Sequence, residues 1–277
     1  MTSSEKYWED REKELYKLYE KESNTVVKDL KKAYLKSFTD IKTEIKAYKY
    51  DHGSYEETAA NNLLAKIEAI LKSLFELEEN TLSTNIMTFY ETNKARVGKF
   101  LQEAGITDLV VETVDAFGNV VKETRNMLTF AVHNVQAVEN VIKEKFLGHN
   151  FSSRIWNNKA KLSFTLKSSL TEGLIRGESY AKIANRINKQ MGTSFYNCER
   201  LARTELKRSV DKAKLDKYAE AGIEQYKLVT AHDNRVCEKC KALDGKIFNI
   251  KDAKPGVNYL LHPNCREAII PVVNLTV

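Results

Sequence analysis

The chain has 277 residues, 42% of them apolar, which is enough to bury a sizeable core and argues for a folded protein. Its opening, MTSSEKYWEDREKELYKLYE, is dense in charge, and nowhere do about 18 apolar residues run together, so neither an export leader nor a membrane span is expected and the chain reads as cytosolic at synthesis. The net charge is +6, split unevenly: residues 1–150 carry 21 Lys and Arg against 25 Asp and Glu, a balance of −4, while residues 151–277 carry 23 against 13, a balance of +10. The second half is therefore the one suited to phosphate or to an acidic partner surface.

Taken in chain order, residues 3–50 place Val26, Leu30, Ala33, Ser37, Ile41, Ile45 and Tyr48 on one helical stripe, with Lys and Glu on the other faces. In DHGSYEE, Ser54 and Glu57 have the spacing of a capping box and predict a second helix start. That helix runs to about Gln102 with Ala59, Leu63, Ile67, Ile70, Leu74 and Leu77 facing one way, and the short link predicts an antiparallel helical hairpin. The period then changes: DLVVETVDAFGNVVKETR predicts a β-hairpin over 109–124, turning at Phe117-Gly118-Asn119.

Helical spacing returns over 126–146 and 152–176, and Gly177 interrupts it. SYAKIANRINKQMG predicts a short helix closed by Gly192, and a further helix runs from Ser194 to about Glu220, stopped by Gly222. On that last helix Arg200, Arg203, Lys207 and Lys214 fall on one stripe opposite Ala202, Leu206 and Ala213. Such a stripe is either a solvated face, helped by Glu199 and Arg203 at i,i+4, or a contact face for DNA or a protein partner. All three prolines lie after residue 254, so nothing earlier forbids long helices.

Chemistry concentrates at the end. QYKLVTA reads as a strand, Cys237 and Cys240 follow at C-x2-C spacing, and LDGKIFNI reads as a second strand with Asp244-Gly245 supplying a tight turn. His262 and Cys265 repeat the three-residue spacing in LHPNCRE. Two such pairs can close a tetrahedron around one zinc ion, and four protein ligands leave no corner for water, which makes the expected zinc structural. A catalytic reading would use His232 and Asp233 beside His262 in a zinc-dependent nuclease or peptidase-like hydrolase, but three thiolates make zinc a weak Lewis acid. Cys198, alone on a helix, reads as a buried thiol, and no glycine-rich phosphate loop, G-x-S-x-G or H-E-x-x-H occurs, so an enzyme is not expected.

Taken together, LARTELKRSVDKAKLDKYAEAG, YKLVTAHDNRVCEKCKALDGKIF and LHPNCRE resemble the phage head-morphogenesis family, the Mu F-like minor head proteins, over roughly residues 150–272. The resemblance implies a minor structural protein of a tailed phage or prophage, encoded beside the portal protein and carried in the virion. Its implied site is the head interior near the portal, and its implied partners are portal, capsid or scaffolding protein, with double-stranded DNA a further candidate. Its implied work is head assembly, DNA packaging or DNA ejection.

The family's motif positions map onto Arg203, Glu205 and Asp233, and its metal-type positions onto Cys237, Cys240, His262 and Cys265. Many members have a further cysteine where this chain has Glu267. Some carry fused toxin domains, for which a chain ending at Val277 leaves no room. A stand-alone zinc-containing DNA-binding module is the other non-enzymatic alternative.

The expected fold is α+β and predominantly helical. Residues 1–148 form a helical hairpin region carrying the β-hairpin, and residues 149–277 form the Mu F-like domain, with helices over 152–221 and a zinc-stapled β module over 224–274.

Overall fold

The long proline-free, period-3.6 stretches fold as long helices in the computed structural model, which describes residues 3–53, 55–106, 108–114, 120–126, 139–140, 142–234 and 236–273. The principal elements are α1 (Ser3–His52), α2 (Glu57–Glu103), β1 (Asp108–Val114), β2 (Val120–Asn126), α3 (Phe151–Ile175), α4 (Tyr180–Glu220), β3 (Gln225–Thr230), the short α5 (Glu238–Lys241), β4 (Ile247–Asn249) and β5 (Glu267–Pro271). β1 and β2 pair antiparallel from Asp108↔Asn126 to Val114↔Val120, as the alternation predicts. The turn at Phe117-Gly118-Asn119, most of the helical spacing over 126–146, and Ser54 lie outside the described residues.

The chain forms two compact units, one of Met1–Glu22, Asn85–Leu147 and Thr204–Val277, the other of Ser23–Thr84 and Gly148–Arg203. A single cut near residue 148 does not separate them. This corrects the expected division, because α1, α2 and α4 are each long enough to supply a stretch to both cores.

In the unit built from Ser23–Thr84 and Gly148–Arg203, α1 and α2 run antiparallel, with Lys66 2.8 Å from Glu44 and the Tyr34 and Phe75 rings 6.2 Å apart. The start of α2 is capped by Glu56, whose carboxylate accepts from the Thr58 and Ala59 amides, so Glu56 fills the role expected of Ser54 and Glu57. The inward stripe of α2 is Ala60, Leu63, Ile67, Leu71, Leu74 and Glu78, about one residue out of step with the expected one, and Leu77 is exposed. Asn150 caps α3 through its side chain, and Trp156 donates its indole N–H to Glu79 at 3.0 Å.

Gly192 does not end a helix: α4 runs straight through it. The buried positions Ile183, Ile187, Met191, Ser194, Cys198 and Leu201 keep their period across the glycine, so tertiary packing overrides a local propensity cost of about 1 kcal/mol. At the centre of this unit the fully buried Glu78 accepts from the Tyr34 hydroxyl at 2.8 Å, with the Cys198 thiol also beside its carboxylate. Burial pushes the Glu78 carboxyl up to about 7 despite that hydrogen bond. Cys198 is the buried thiol expected of it, and burial followed by the Glu78 carboxylate pushes its pKa up.

In the other unit, Trp8, Leu15, Phe100, Leu101, Tyr218 and Ile270 share one core cluster. The α4 segment 204–218 crosses it buried on nearly every face. Its charges are therefore internal, and Lys207 and Lys214 leave the expected contact stripe. Lys207 is 4% exposed and bonds Asp211 at 2.6 Å; Lys214 is 1% exposed and pairs with Glu12 and, at 3.6 Å, with Asp211. Burial works against the Lys207 charge, but Asp211, Glu267 and Glu12 outweigh it and hold its pKa above the usual lysine range.

The C-terminal sheet has strand order β4-β3-β5, antiparallel throughout, with Lys227↔Ile247 on one side of β3 and Thr230↔Glu267 on the other. Residues 231–246 leave β3 and return to β4. Gly245 (φ 76) stands at that return, where its amide bonds the Leu228 carbonyl, rather than at the tip of a two-residue hairpin.

Candidate metal centre

The excursion between β3 and β4 carries the first ligand pair. Cys237 is the N-cap residue of α5, and one helical turn places Cys240 beside it, the two sulfurs 3.5 Å apart. The second pair comes from the loop before β5, where Leu260 (φ 43) and Asn264 (φ 60) take left-handed backbone on either side of His262. The His262 Nδ1 lies 2.8 Å from the Pro263 carbonyl, which turns Nε2 toward the thiols. Nε2 stands 3.0 Å from Cys237 Sγ, 3.4 Å from Cys240 Sγ and 3.8 Å from Cys265 Sγ, and Cys240 and Cys265 are 3.2 Å apart.

With Zn–S near 2.3 Å and Zn–N near 2.0 Å, the corners of a zinc tetrahedron lie about 3.5–3.8 Å from one another. These five donor separations match that scale, slightly contracted. This sulfur and nitrogen donor set can hold a metal ion, and the structure brings together all four residues singled out by spacing. Among the described residues two overlapping triads of potential ligands occur, Cys237, Cys240 and His262 on one side and Cys240, Cys265 and Glu267 on the other.

The surroundings are apolar: Cys240 and Cys265 sit in one cluster with Phe146, Leu215, Tyr226, Val236, Tyr259, Leu260 and Ile269. Burial pushes the Cys240 thiol up to about 11 and, together with the neighbouring Glu267 carboxylate, raises Cys265 further. Cys237 goes the other way, down to about 7, because the Cys240 amide and then the His262 ring stabilise its thiolate. Burial lowers the His262 pKa, but the Pro263 carbonyl and Cys237 outweigh it and the net shift is upward.

Asp233 is a brace, its carboxylate paired with Arg266 while the Ala231 amide bonds the Arg266 carbonyl, so the two ligand loops are tied to each other. His232 (φ 51) is exposed, 3.6 Å from Asp244. Glu205 is buried against Arg208, which also reaches Glu144. In the other unit, Arg203 bonds Glu199 and Asn24, and Arg200 lies over the Tyr196 ring.

Sequence reasoning missed the role of Glu267, noted only as a departure from the family pattern. It is 2% exposed, lies beside the Cys265 thiol, and among the described residues no N–H or O–H donor reaches either carboxylate oxygen. The signal available was its position two residues after Cys265, at the start of an apolar strand.

The family described as Phage Mu protein F like protein matches residues 165–270. Among curated proteins, the chain is 23% identical over 266 residues to "Minor head protein GP7" of Bacillus phage SPP1, covering 91% of this chain and 84% of that protein. It is 22% identical over 245 residues to "NAD(+)--arginine ADP-ribosyltransferase EFV" of Enterococcus faecalis (strain ATCC 700802 / V583), covering 87% of this chain but only 48% of that protein. No solved structure matches.

Proposed function

We propose that the chain, which matches the Mu F-like phage head family over residues 165–270, serves as a minor structural protein of the head, docked at the portal, with one zinc ion stapling its C-terminal module. The observation that carries the reading is the likeness to a minor head protein over most of both chains, whereas the ADP-ribosyltransferase shares about half its own length. Among the described residues no helix is long and apolar enough to cross a membrane.

Zinc is favoured over other ions by the donors: thiolates and an imidazole at tetrahedral spacing suit it, and octahedral oxygen-seeking ions are poorly served. When bound, the ion supplies a crosslink between the Cys237–Cys240 turn and the His262–Cys265 loop. The hydrolase alternative loses support because Asp233 is committed to Arg266 and His262 aims Nε2 at sulfur. DNA contact loses Lys207 and Lys214 and retains Arg200 and Arg203 as its surface candidates.

The test is co-expression of the full chain with a portal protein from the same phage, followed by size-exclusion chromatography with light scattering and metal analysis of the peak. Co-elution with about one zinc per chain is expected. Separate elution of the two proteins overturns the portal assignment, and metal-dependent plasmid cleavage abolished by His232→Ala overturns the non-enzymatic one.

A further inference from the structure

We propose that Glu267 is itself a ligand of the metal centre, a fifth donor entering from the sheet side; this rests on the metal-binding reading above. β5 alternates faces with period two, so Glu267 points to the same side as Ile269, which packs in the cluster containing Cys240 and Cys265. A carboxylate oxygen of Glu267 lies within 4.8 Å of both of those sulfurs. The residue is almost wholly buried, with the Cys265 thiol beside its carboxylate, and among the described residues no N–H or O–H donor reaches either oxygen. A charged group in that condition needs a cation or a full set of donors, and nothing about the packing of an apolar strand calls for a carboxylate there.

Lys207 acts on this carboxylate only through space, and a metal ion held by the thiols and the His262 ring supplies the direct partner. The added negative charge of a cluster with three thiolates and a carboxylate is offset by the buried Lys207, whose charge Glu267 helps to stabilise. The centre then has a mixed sulfur, nitrogen and oxygen donor set, which tolerates five-coordination more readily than a closed Cys3His site.

Cobalt(II) reads this out through its visible d–d bands, which are intense for four-coordinate and weak for five-coordinate ions. The full-length protein is titrated with cobalt(II) alone, then with zinc, beside Glu267→Gln. Weak bands in the natural protein that intensify several-fold in Glu267→Gln, with zinc affinity reduced about tenfold or more, are the expected result. Superimposable, intense spectra overturn the proposal.

Should Glu267→Gln fail to fold, X-ray absorption of the zinc-loaded natural protein decides. A first shell with two light atoms besides sulfur supports a carboxylate ligand, and three sulfurs with one light atom overturns it while leaving the structural zinc reading intact. A natural chain that binds neither cobalt(II) nor zinc overturns both.

Discussion

The buried carboxyl of Glu78 makes the stability of its unit depend on pH in an unusual direction. Its pKa is raised from 4.5 to about 7 by burial, so the folded state binds more protons than the unfolded state between those values. Its contribution is therefore fully favourable below about pH 4.5 and is lost as pH rises toward and through 7. A difference of about 2.5 units at about 1.4 kcal/mol per unit predicts that the folded protein forfeits roughly 2–3 kcal/mol between pH 5 and pH 8 through this group alone.

Glu78→Gln keeps the shape, retains an oxygen to accept from Tyr34, and removes the titration. It should match the natural protein near pH 5 and exceed it by about 2–3 kcal/mol at pH 8. The assay is urea unfolding across that range, followed by fluorescence of Trp156, which belongs to the same unit, in a Trp8→Phe background. Subtracting the two pH profiles cancels every other titrating group. A difference that stays flat from pH 5 to pH 8 refutes the burial argument, and a variant less stable at pH 8 would mean the ionised carboxylate is solvated or paired.

Three further perturbations follow from the same structure. Cys240→Ser should abolish stoichiometric zinc and lower protection of residues 236–265 in hydrogen exchange, and retained metal with unchanged exchange would refute the staple. Lys214→Met strands Glu12 in the core, while Asp211 keeps Lys207, and should cost about 3–5 kcal/mol in denaturant unfolding, most of it restored by adding Glu12→Gln; a loss below about 1 kcal/mol would show that the pair is not buried in solution. Gly173→Ala would gain about 1 kcal/mol on helix propensity, but its Cβ would fall 2.9 Å from Ile183 Cγ1 and 2.7 Å from an Arg186 nitrogen, so a lower melting temperature is expected and a higher one would show that the neighbours yield.

The long helices, the β-hairpin and all four sulfur and imidazole donors were legible because each rests on local spacing: period 3.6, period two, or a three-residue step. The fate of the basic stripe was not. Asp211 sits four residues from Lys207 and could be seen, but Glu12, the partner of Lys214, comes from some two hundred residues away. Once the α4 segment 204–218 is enclosed on all sides, dividing it into a wet face and a dry face loses meaning. Gly192 misled for the opposite reason, since a glycine is a stop signal only where the chain takes left-handed backbone, and α4 is held helical there by neighbours that local propensity does not register. Glu56 caps α2 by the same kind of geometry, its carboxylate reaching two amides at once.

The sewing of one unit from opposite reaches of the polypeptide bears on how the protein is made. Ser4 reaches the Val273 carbonyl, Glu5 pairs with Lys227, and Trp8 and Leu15 share a cluster with Ile270. During ribosomal synthesis these early apolar side chains therefore meet Phe100 and Leu101 first and lack the rest of their cluster, Tyr218 and Ile270, until the far end of the described chain has emerged. Contacts of such long sequence separation form slowly and leave sticky surface uncovered in the interval. Completion of that unit waits for the residues of β5 to emerge, and the nascent chain is at its most vulnerable to aggregation before then.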